Sequence, residues 1–214
     1  MLELSLRTVI SEGKKTVTDR VLEDAFETYQ GGEAKGWDEE SLSRVALHEA
    51  GHAYVSYRTG NTPSYVTVVA RGIHGGYVQG STSEDKRVYT KKELLGIITS
   101  ALGGRAAELV LYGNEDGLST AAASDLAYAT EQAMRLVCVY GMESGFGMSV
   151  VADPVSDPRV RTAVDGILDS CLENAISTVR ESIGSVLKIR DALLVKNRLD
   201  GDELRDPMRR HLST

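Results

Sequence analysis

The sequence has no long apolar run, few cysteines and no excess of basic residues, and each of these absences excludes a class of protein. No stretch approaches the roughly 18 consecutive apolar residues of a membrane helix, and the N-terminus lacks the apolar core of a signal peptide. Two cysteines, Cys138 and Cys171, exclude a disulfide scaffold and indicate reduced thiols in a cytosolic environment. We therefore expect a soluble, cytoplasmic-type chain, although a longer parent could be anchored in a membrane with this domain on the cytoplasmic side.

The charge balance narrows the choice of partner. The chain has 24 Lys and Arg against 31 Asp and Glu, a formal net charge of −7. Without a basic excess to neutralise phosphates, nucleic acid and anionic lipid are poor main partners. Hydrophobic residues make up 42% of the 214 residues, a proportion that supports a packed globular core.

Apolar periodicity and capping residues predict a mostly helical fold with one small β-sheet and a long C-terminal helical region. Thr18 and Asp38 stand at N-cap positions, and Thr90 opens a capping box. The pair Gly103-Gly104 falls inside a predicted helix, which indicates close packing against another backbone. Predicted helices cover 2–12, 19–29, 39–59, 90–112, 121–140 and 157–197, the last with a break near Gly184. Predicted strands cover 64–70, 75–80 and, as a short candidate, 149–152.

The segment His48-Glu49-Ala50-Gly51-His52 carries the chemistry. Two histidines four residues apart on a helix lie about 40° apart around its axis, so both imidazoles can reach one metal ion. Helical phasing places Glu49 within the apolar face, where an isolated carboxylate is costly. A zinc ion with a bound water meets that cost, and Glu49 can accept a proton from the water. The alternative is two partly exposed histidines with Glu49 paired to an arginine.

The spacing of residues does not by itself select a third protein ligand. Zinc hydrolases use three protein ligands and leave one position for water. The extension that supplies another histidine shortly after His52 is absent, because Val55 and Arg58 stand where it needs Gly and His. The candidates that stay open are Glu108, Glu115, Asp116, Asp125 and His74.

Seven segments, in order along the chain, carry a resemblance to a known family. They are VALHEAGHAYV (45–55), PSYVTVVARG (63–72), GGYVQG (75–80), LGGRAAELVLYG (102–113), STAAASDLAYAT (119–130), VYGMESGFG (139–147) and LLVKNRLDGDEL (193–204). Together they resemble the peptidase domain of the FtsH family, the membrane-anchored AAA zinc proteases. Residues 1–30 also resemble the last helices of an AAA lid, so the resemblance covers nearly all of the chain.

The resemblance implies roles for particular residues. It implies one zinc ion per chain, held by His48, His52 and Asp125, with Glu49 as the catalytic base. It also implies an edge strand that binds an extended peptide by strand addition. The residues of that strand are Gly76, Tyr77, Val78, Gln79 and Gly80. The family has Gly and Asn near the aspartate where this chain reads Ala122, Ala123 and Ser124, so the surroundings of the ligand are expected to differ.

The sequence contains no G-x-x-x-x-G-K-[ST] phosphate loop, and Gly103-Gly104 lacks the Lys-Ser/Thr that would follow. We therefore expect no nucleotide site in this chain. We also expect the chain to be either an excised piece of a longer protease or a stand-alone relative. The residues 31–38 have turn-forming composition without periodicity and predict a linker. The expected division is 1–33, lid-like helices with the start of the linker, and 34–214, the zinc peptidase domain.

The leading hypothesis is a zinc endopeptidase that cuts unfolded polypeptides, made ATP-dependent only by an AAA module in a longer parent. The resemblance implies a homo-hexamer. Apolar residues of the C-terminal region also favour self-association: Ile167, Leu168, Ile176, Val186 and Leu187. One alternative is an inactive assembly module whose zinc is structural or absent, although the intact His-Glu-x-x-His argues against it. Another is a metal-free binding module that uses the same edge strand.

Overall fold

The described part of the chain is mostly helical and contains two small antiparallel sheets. The structure is a computed structural model that describes residues 2–11, 13, 16–71, 76–80, 88–116, 118–148, 150–154 and 156–208. The helices are α1 (Leu2–Ser11), α2 (Asp19–Gly31), α3 (Glu39–Arg58), α4 (Lys91–Ala101), α5 (Gly103–Asp116), α6 (Ala123–Cys138), α7 (Pro158–Glu181), α8 (Ile183–Lys196) and α9 (Gly201–Met208). The strands are β1 (Ala34–Lys35), β2 (Pro63–Thr67), β3 (Ala70–Arg71), β4 (Tyr77–Gly80) and β5 (Arg198–Asp200). The predicted fold class is confirmed.

Side-chain caps fix the helix starts where the sequence predicts them. The Thr18 hydroxyl accepts a hydrogen bond from the Val21 amide at 3.4 Å, and the Asp38 carboxylate accepts one from the Ser41 amide at 2.9 Å. Thr90 completes a capping box at the start of α4. These bonds satisfy amides that the first turn of a helix leaves without partners.

The predicted helix over 90–112 is instead two helices, α4 and α5, which meet at Leu102. The break accompanies a close approach of α5 to α3. A Cβ on Gly51 would lie 2.4 Å from the carbonyl oxygen of Gly103, and a Cβ on Gly103 would lie 2.9 Å from the carbonyl oxygen of Gly51. Backbones approach this closely only where both residues lack a side chain. Packing against another backbone, the expected reason for a glycine here, is confirmed.

A three-stranded antiparallel sheet has the order β4-β2-β5, which places β4 at an edge. Tyr65 of β2 lies opposite Gln79 of β4 and Asp200 of β5. The predicted strand over 64–70 ends early, at Thr67, whose hydroxyl accepts a hydrogen bond from the Val69 amide at 3.1 Å. The sequence pattern does not predict β5, because three residues next to a helix show no alternation.

Two predictions about irregular segments need correction. Within the predicted linker 31–38, β1 pairs with β3 to form a two-stranded sheet. The predicted strand over 149–152 is wrong for its described residues 150–152, which form no strand. There the Val151 amide donates to the carbonyl oxygen of Cys138 at 3.0 Å. In both cases the pairing is with a distant segment, which local periodicity cannot show.

Helix α3 is central to the molecule. Its residues 46–55 are all buried, and it packs against α5, α8 and β2. A second apolar cluster joins α4, α6 and α7. Helix α4 contacts both α3 and α6.

The C-terminal helical region consists of α7 and α8. The break between these helices is at Ser182, two residues before the predicted position, Gly184. The apolar residues that favoured self-association are used within this chain. Ile167, Leu168, Ile176, Val186 and Leu187 are buried or pack against the two apolar clusters. That argument for self-association is therefore wrong, and only the family resemblance still supports it.

Of the helices in the described residues, none by itself has both the length and the apolar composition needed to cross a membrane. One pair, Lys91–Ala101 and Gly103–Glu115, passes that test only when taken together, with a bend of 47° between the two helices.

Candidate metal centre

Three potential ligand atoms converge between α3 and α6. His48 Nε2 and His52 Nε2, one helical turn apart on α3, are 3.0 Å from each other. Asp125 Oδ2, in the first turn of α6, is 3.0 Å from His48 Nε2 and 3.3 Å from His52 Nε2. Atoms bound at about 2.0–2.2 Å to one tetrahedral ion lie roughly 3.3 Å apart. The spacing therefore fits a single zinc ion.

The protein also holds the other ring nitrogen of each histidine. His48 Nδ1 is 3.2 Å from Glu108 Oε1, and His52 Nδ1 is 2.9 Å from the carbonyl oxygen of Ser100. Because both oxygens accept, each Nδ1 carries the hydrogen, and a neutral imidazole then has its lone pair on Nε2. Two lone pairs and the Asp125 carboxylate point at one another. Such a group of acceptors needs a cation between them, so the donor set fits zinc by its chemistry as well.

The pKa values of the group also indicate a site that attracts positive charge. Without a metal, Nε2 of His48 can instead hold a proton: burial lowers the pKa of His48, but hydrogen bonds to Asp125 and Glu108 outweigh burial and raise this pKa to about 9. Burial raises the pKa of Asp125, but hydrogen bonds from His48 and His52 bring it well below its ordinary value. The two carboxylates thus attract positive charge to the point where the nitrogens converge.

Glu108, one of the candidate ligands, lies behind His48 and not at the convergence point. Its buried carboxylate accepts a hydrogen bond from the Ser119 hydroxyl at 2.6 Å and pairs with Arg105 at 3.4 Å. Arg105 also donates to the carbonyl oxygen of Ser119 at 2.8 Å. A carboxylate held this way fixes the orientation of the imidazole and increases its basicity. The sequence reasoning missed this role.

A sequence signal for the role of Glu108 exists. Gly104 and Glu108 are four residues apart, so they share one face of α5. A Cβ on Gly104 would lie 2.5 Å from the His48 ring, so the glycine makes room for the imidazole that the glutamate holds. A glycine followed one turn later by a buried acid is the pattern to look for.

The remaining candidate ligands are not part of this group. The Glu115 side chain is exposed near the end of α5. His74 and the side chain of Asp116 lie outside the described residues, as does Gly75, the first residue of the predicted strand over 75–80. The structure thus brings Asp125 to the two histidines.

Glu49 is buried beside the histidines. Burial raises the pKa of its carboxyl group, and the nearby His52 and His48 offset part of that rise. Gly76 gives it room: a Cβ there would lie 2.9 Å from Glu49 Oε1 and 2.8 Å from the carbonyl oxygen of Thr67. Glu49 therefore lies next to the chain that enters the edge strand β4.

A cleft of about 1190 Å³ runs over these side chains. Its walls include Tyr77 and Val78 of β4 and, across the ligand atoms, Ser124 and Tyr128 of α6. Within the described residues no strand pairs with the outer edge of β4. The cleft therefore combines an unpaired strand edge with the convergent imidazole and carboxylate groups.

A helix that carries His-Glu-x-x-His, with a carboxylate from a second helix opposite the histidines, is the arrangement of the zinc metallopeptidase class. The chain belongs to peptidase family M41, which its residues 36–206 match. The predicted resemblance is therefore confirmed.

Similar proteins include several that are each named ATP-dependent zinc metalloprotease FtsH. The one from Mycoplasmopsis pulmonis is 30% identical over 94% of this chain and 30% of its own length. Those from Ruminiclostridium cellulolyticum and Mycoplasma mobile are 29% and 32% identical, over 95% and 94% of this chain and 36% and 31% of their own lengths. The chain thus spans about a third of the length of these relatives.

Proposed function

We propose that this chain is a zinc metallopeptidase domain that hydrolyses internal peptide bonds of unfolded polypeptides. One observation carries the proposal: His48 Nε2, His52 Nε2 and Asp125 Oδ2 lie 3.0–3.3 Å from one another in a cleft, with Glu49 buried beside them. Membership of the peptidase family and similarity to proteins named as zinc metalloproteases support it.

Each residue has a defined part in this proposal. His48, His52 and Asp125 hold one zinc ion per chain, and Glu108 and the Ser100 carbonyl orient the two imidazoles. Bound zinc supplies a Lewis acid that polarises a carbonyl and acidifies water. Glu49 accepts a proton from the attacking water at its carboxylate and donates it to the nitrogen of the departing amine. Its burial keeps that carboxylate away from bulk solvent.

The substrate is an extended chain. The free edge of β4 offers main-chain donors and acceptors to a peptide that adds as a further strand. Gly76, Tyr77, Val78, Gln79 and Gly80 form this proposed binding segment. Recognition through the main chain demands an unfolded segment but little particular sequence, which accords with an endopeptidase of broad preference.

The longer context is also proposed from the relatives. The relatives are named as ATP-dependent enzymes, and each is about three times as long as this chain. We propose that this domain, residues 34–214, works with an AAA module in a longer parent and assembles as a homo-hexamer on the cytoplasmic side of a membrane. Light scattering that shows only a ~23 kDa particle at all concentrations would contradict the assembly of this chain by itself.

A metal analysis combined with a casein digest tests the function. The samples are the purified chain, the chain stripped by a chelator, the stripped chain with zinc restored, and the zinc-loaded Glu49→Gln variant. We expect one zinc per chain in every sample except the stripped one, and digestion in the first and third samples only. Stoichiometric zinc without digestion would favour the assembly module, and peptide binding without zinc would favour the metal-free binding module.

A further inference from the structure

A second group of buried polar side chains joins α2 to the sheet. Oε1 of Glu27 on α2 accepts hydrogen bonds from the hydroxyls of Tyr65, at 2.9 Å, and Tyr77. These hydroxyls are 2.5 Å from each other. Oε2 of Glu27 accepts a hydrogen bond from Arg71 Nε at 3.3 Å. One enclosed carboxylate of α2 therefore contacts residues of β2, β3 and β4.

Arg198 of β5 supplies positive charge to the same group. Arg198 is 5% exposed, and its guanidinium pairs with Glu23 and with Asp200 at 3.0 Å and lies 3.6 Å from Glu27 Oε1. The guanidinium also lies 3.8 Å over the Tyr65 ring. Removing one partner of a buried network of charged groups leaves the others uncompensated and is strongly destabilising. Glu27 is thus fixed from several sides.

Tyr77 connects this group to the candidate metal centre. It is the first residue of β4, and its hydroxyl bonds to Glu27. The residue before it, Gly76, lies against Glu49, as the 2.9 Å approach of a hypothetical Cβ shows. Consecutive Cα atoms are about 3.8 Å apart, so the anchored residue Tyr77 is one residue from the contact with Glu49 and limits how far Gly76 can move from it.

We propose that Glu27 is a positioning residue, which fixes the edge strand β4, and through it an extended peptide substrate, relative to Glu49. The proposal rests on the peptidase function given above. Glu27 precedes the residues 36–206 that match the peptidase family, so it couples a helix outside that match to the substrate strand. A displacement of α2 would release Tyr77 and lower the affinity of the cleft for extended substrate.

Three conservative variants test the proposal in the zinc-loaded chain. Tyr77→Phe removes the hydroxyl on β4, and Glu27→Gln removes the charge that accepts its hydrogen bond. Tyr29→Phe is the control, because it removes an exposed hydroxyl of the same helix α2 that lies outside this group. With an extended fluorogenic peptide, we expect KM to rise roughly tenfold or more in the first two variants, the scale of one lost hydrogen bond to a charged group. We expect kcat to change less than about twofold, and Tyr29→Phe to leave KM within about twofold.

The double variant Glu27→Gln/Tyr77→Phe tests the coupling itself. If the two residues act through their mutual hydrogen bond, its KM should exceed that of the more affected single variant by no more than about twofold. Multiplication of the two single effects would show independent roles and overturn the proposal. So would a KM that is unchanged in both single variants.

Amide hydrogen exchange supplies a readout that needs no peptidase activity. In Tyr77→Phe, the amides of residues 77–80 should exchange roughly tenfold faster or more, while those of α6 and α8 keep their wild-type rates. Unchanged exchange in β4, or a uniform increase over the whole chain, overturns the proposal. Faster exchange confined to β4 with an unchanged KM overturns the positioning role. If the chain digests no peptide at all, the exchange result still decides the coupling, so the two failures are distinguishable.

Discussion

Gly104 lies directly against the imidazole of His48, and a Cβ at this position would be 2.5 Å from Cε1 and Nε2 of the ring. Alanine at 104 would therefore displace the ring from the place where Glu108 and Asp125 hold it. We expect Gly104→Ala to reduce zinc affinity roughly tenfold or more, measured by competition with a chelator of known affinity.

Gly166→Ala is the matched control for this prediction. Gly166 is also helical, but nothing lies within 4 Å of a Cβ built there. It should leave zinc affinity unchanged and raise the free energy of unfolding by about 0.5–1 kcal/mol, because alanine favours a helix. An equal loss of zinc affinity in both variants would contradict the steric argument.

Asp125 and Glu108 should differ in how much their removal affects metal binding. We expect Asp125→Ala to lose most of its zinc, because one of three donor atoms disappears. Glu108→Gln should retain stoichiometric zinc with an affinity about 10–100-fold lower, because it only orients His48. Elemental analysis after dialysis, followed by chelator competition, measures both. Full retention of zinc in Asp125→Ala would move the third ligand elsewhere.

Glu49→Gln should separate metal binding from catalysis. The amide keeps the volume of the side chain and the fold but removes the proton acceptor. We expect wild-type zinc content, an unchanged midpoint of thermal unfolding and no detectable casein digestion. A variant that digests casein at a rate comparable to the wild type would show that Glu49 is not the base.

Gly51 and Gly103 make the contact between α3 and α5 sensitive to a single methyl group. A Cβ on Gly51 would lie 2.4 Å from the carbonyl oxygen of Gly103 and 2.6 Å from the Cβ of Ala107. We expect Gly51→Ala to lower the free energy of unfolding by about 1–3 kcal/mol, the usual effect of overpacking. Urea denaturation in the presence of a chelator measures this without a metal contribution, and stability equal to wild type would contradict the close approach.

The sequence was informative about features that one helix carries by itself. The caps at Thr18 and Asp38 and the shared face of His48 and His52 depend on residues within one or two turns, so they could be read directly. Burial of Glu49 followed from helical phasing in the same way. The glycines at 103 and 104 indicated a backbone contact, which Gly103 makes with Gly51, whereas Gly104 lies against the His48 side chain.

Features built from distant segments could not be read in this way. Asp125 meets His48 across 77 residues, so spacing left several acids equally eligible and only the family resemblance selected one. Strand β5 forms because β2 offers it an edge, and three residues carry no pattern of their own. No pattern in the sequence singled out Glu27, and only the folded chain brings it to Tyr77.

The cleft should also discriminate between folded and unfolded substrates. A peptide can add to the four-residue edge of β4 only in an extended conformation, so a folded substrate has to unfold locally first. That unfolding costs up to the stability of the substrate, about 5–15 kcal/mol. The 214 residues contain no phosphate-loop motif, so we expect no help from ATP within this chain.

The measurement compares one stable disulfide-bonded protein in its native form with the same protein after reduction and alkylation, each with and without ATP and Mg²⁺. We expect slow cleavage of the unfolded form, sparing of the native form and no effect of ATP. Ready degradation of the native form would contradict an edge strand that accepts only extended chains. Stimulation by ATP would contradict the absence of an ATP-driven step in this chain.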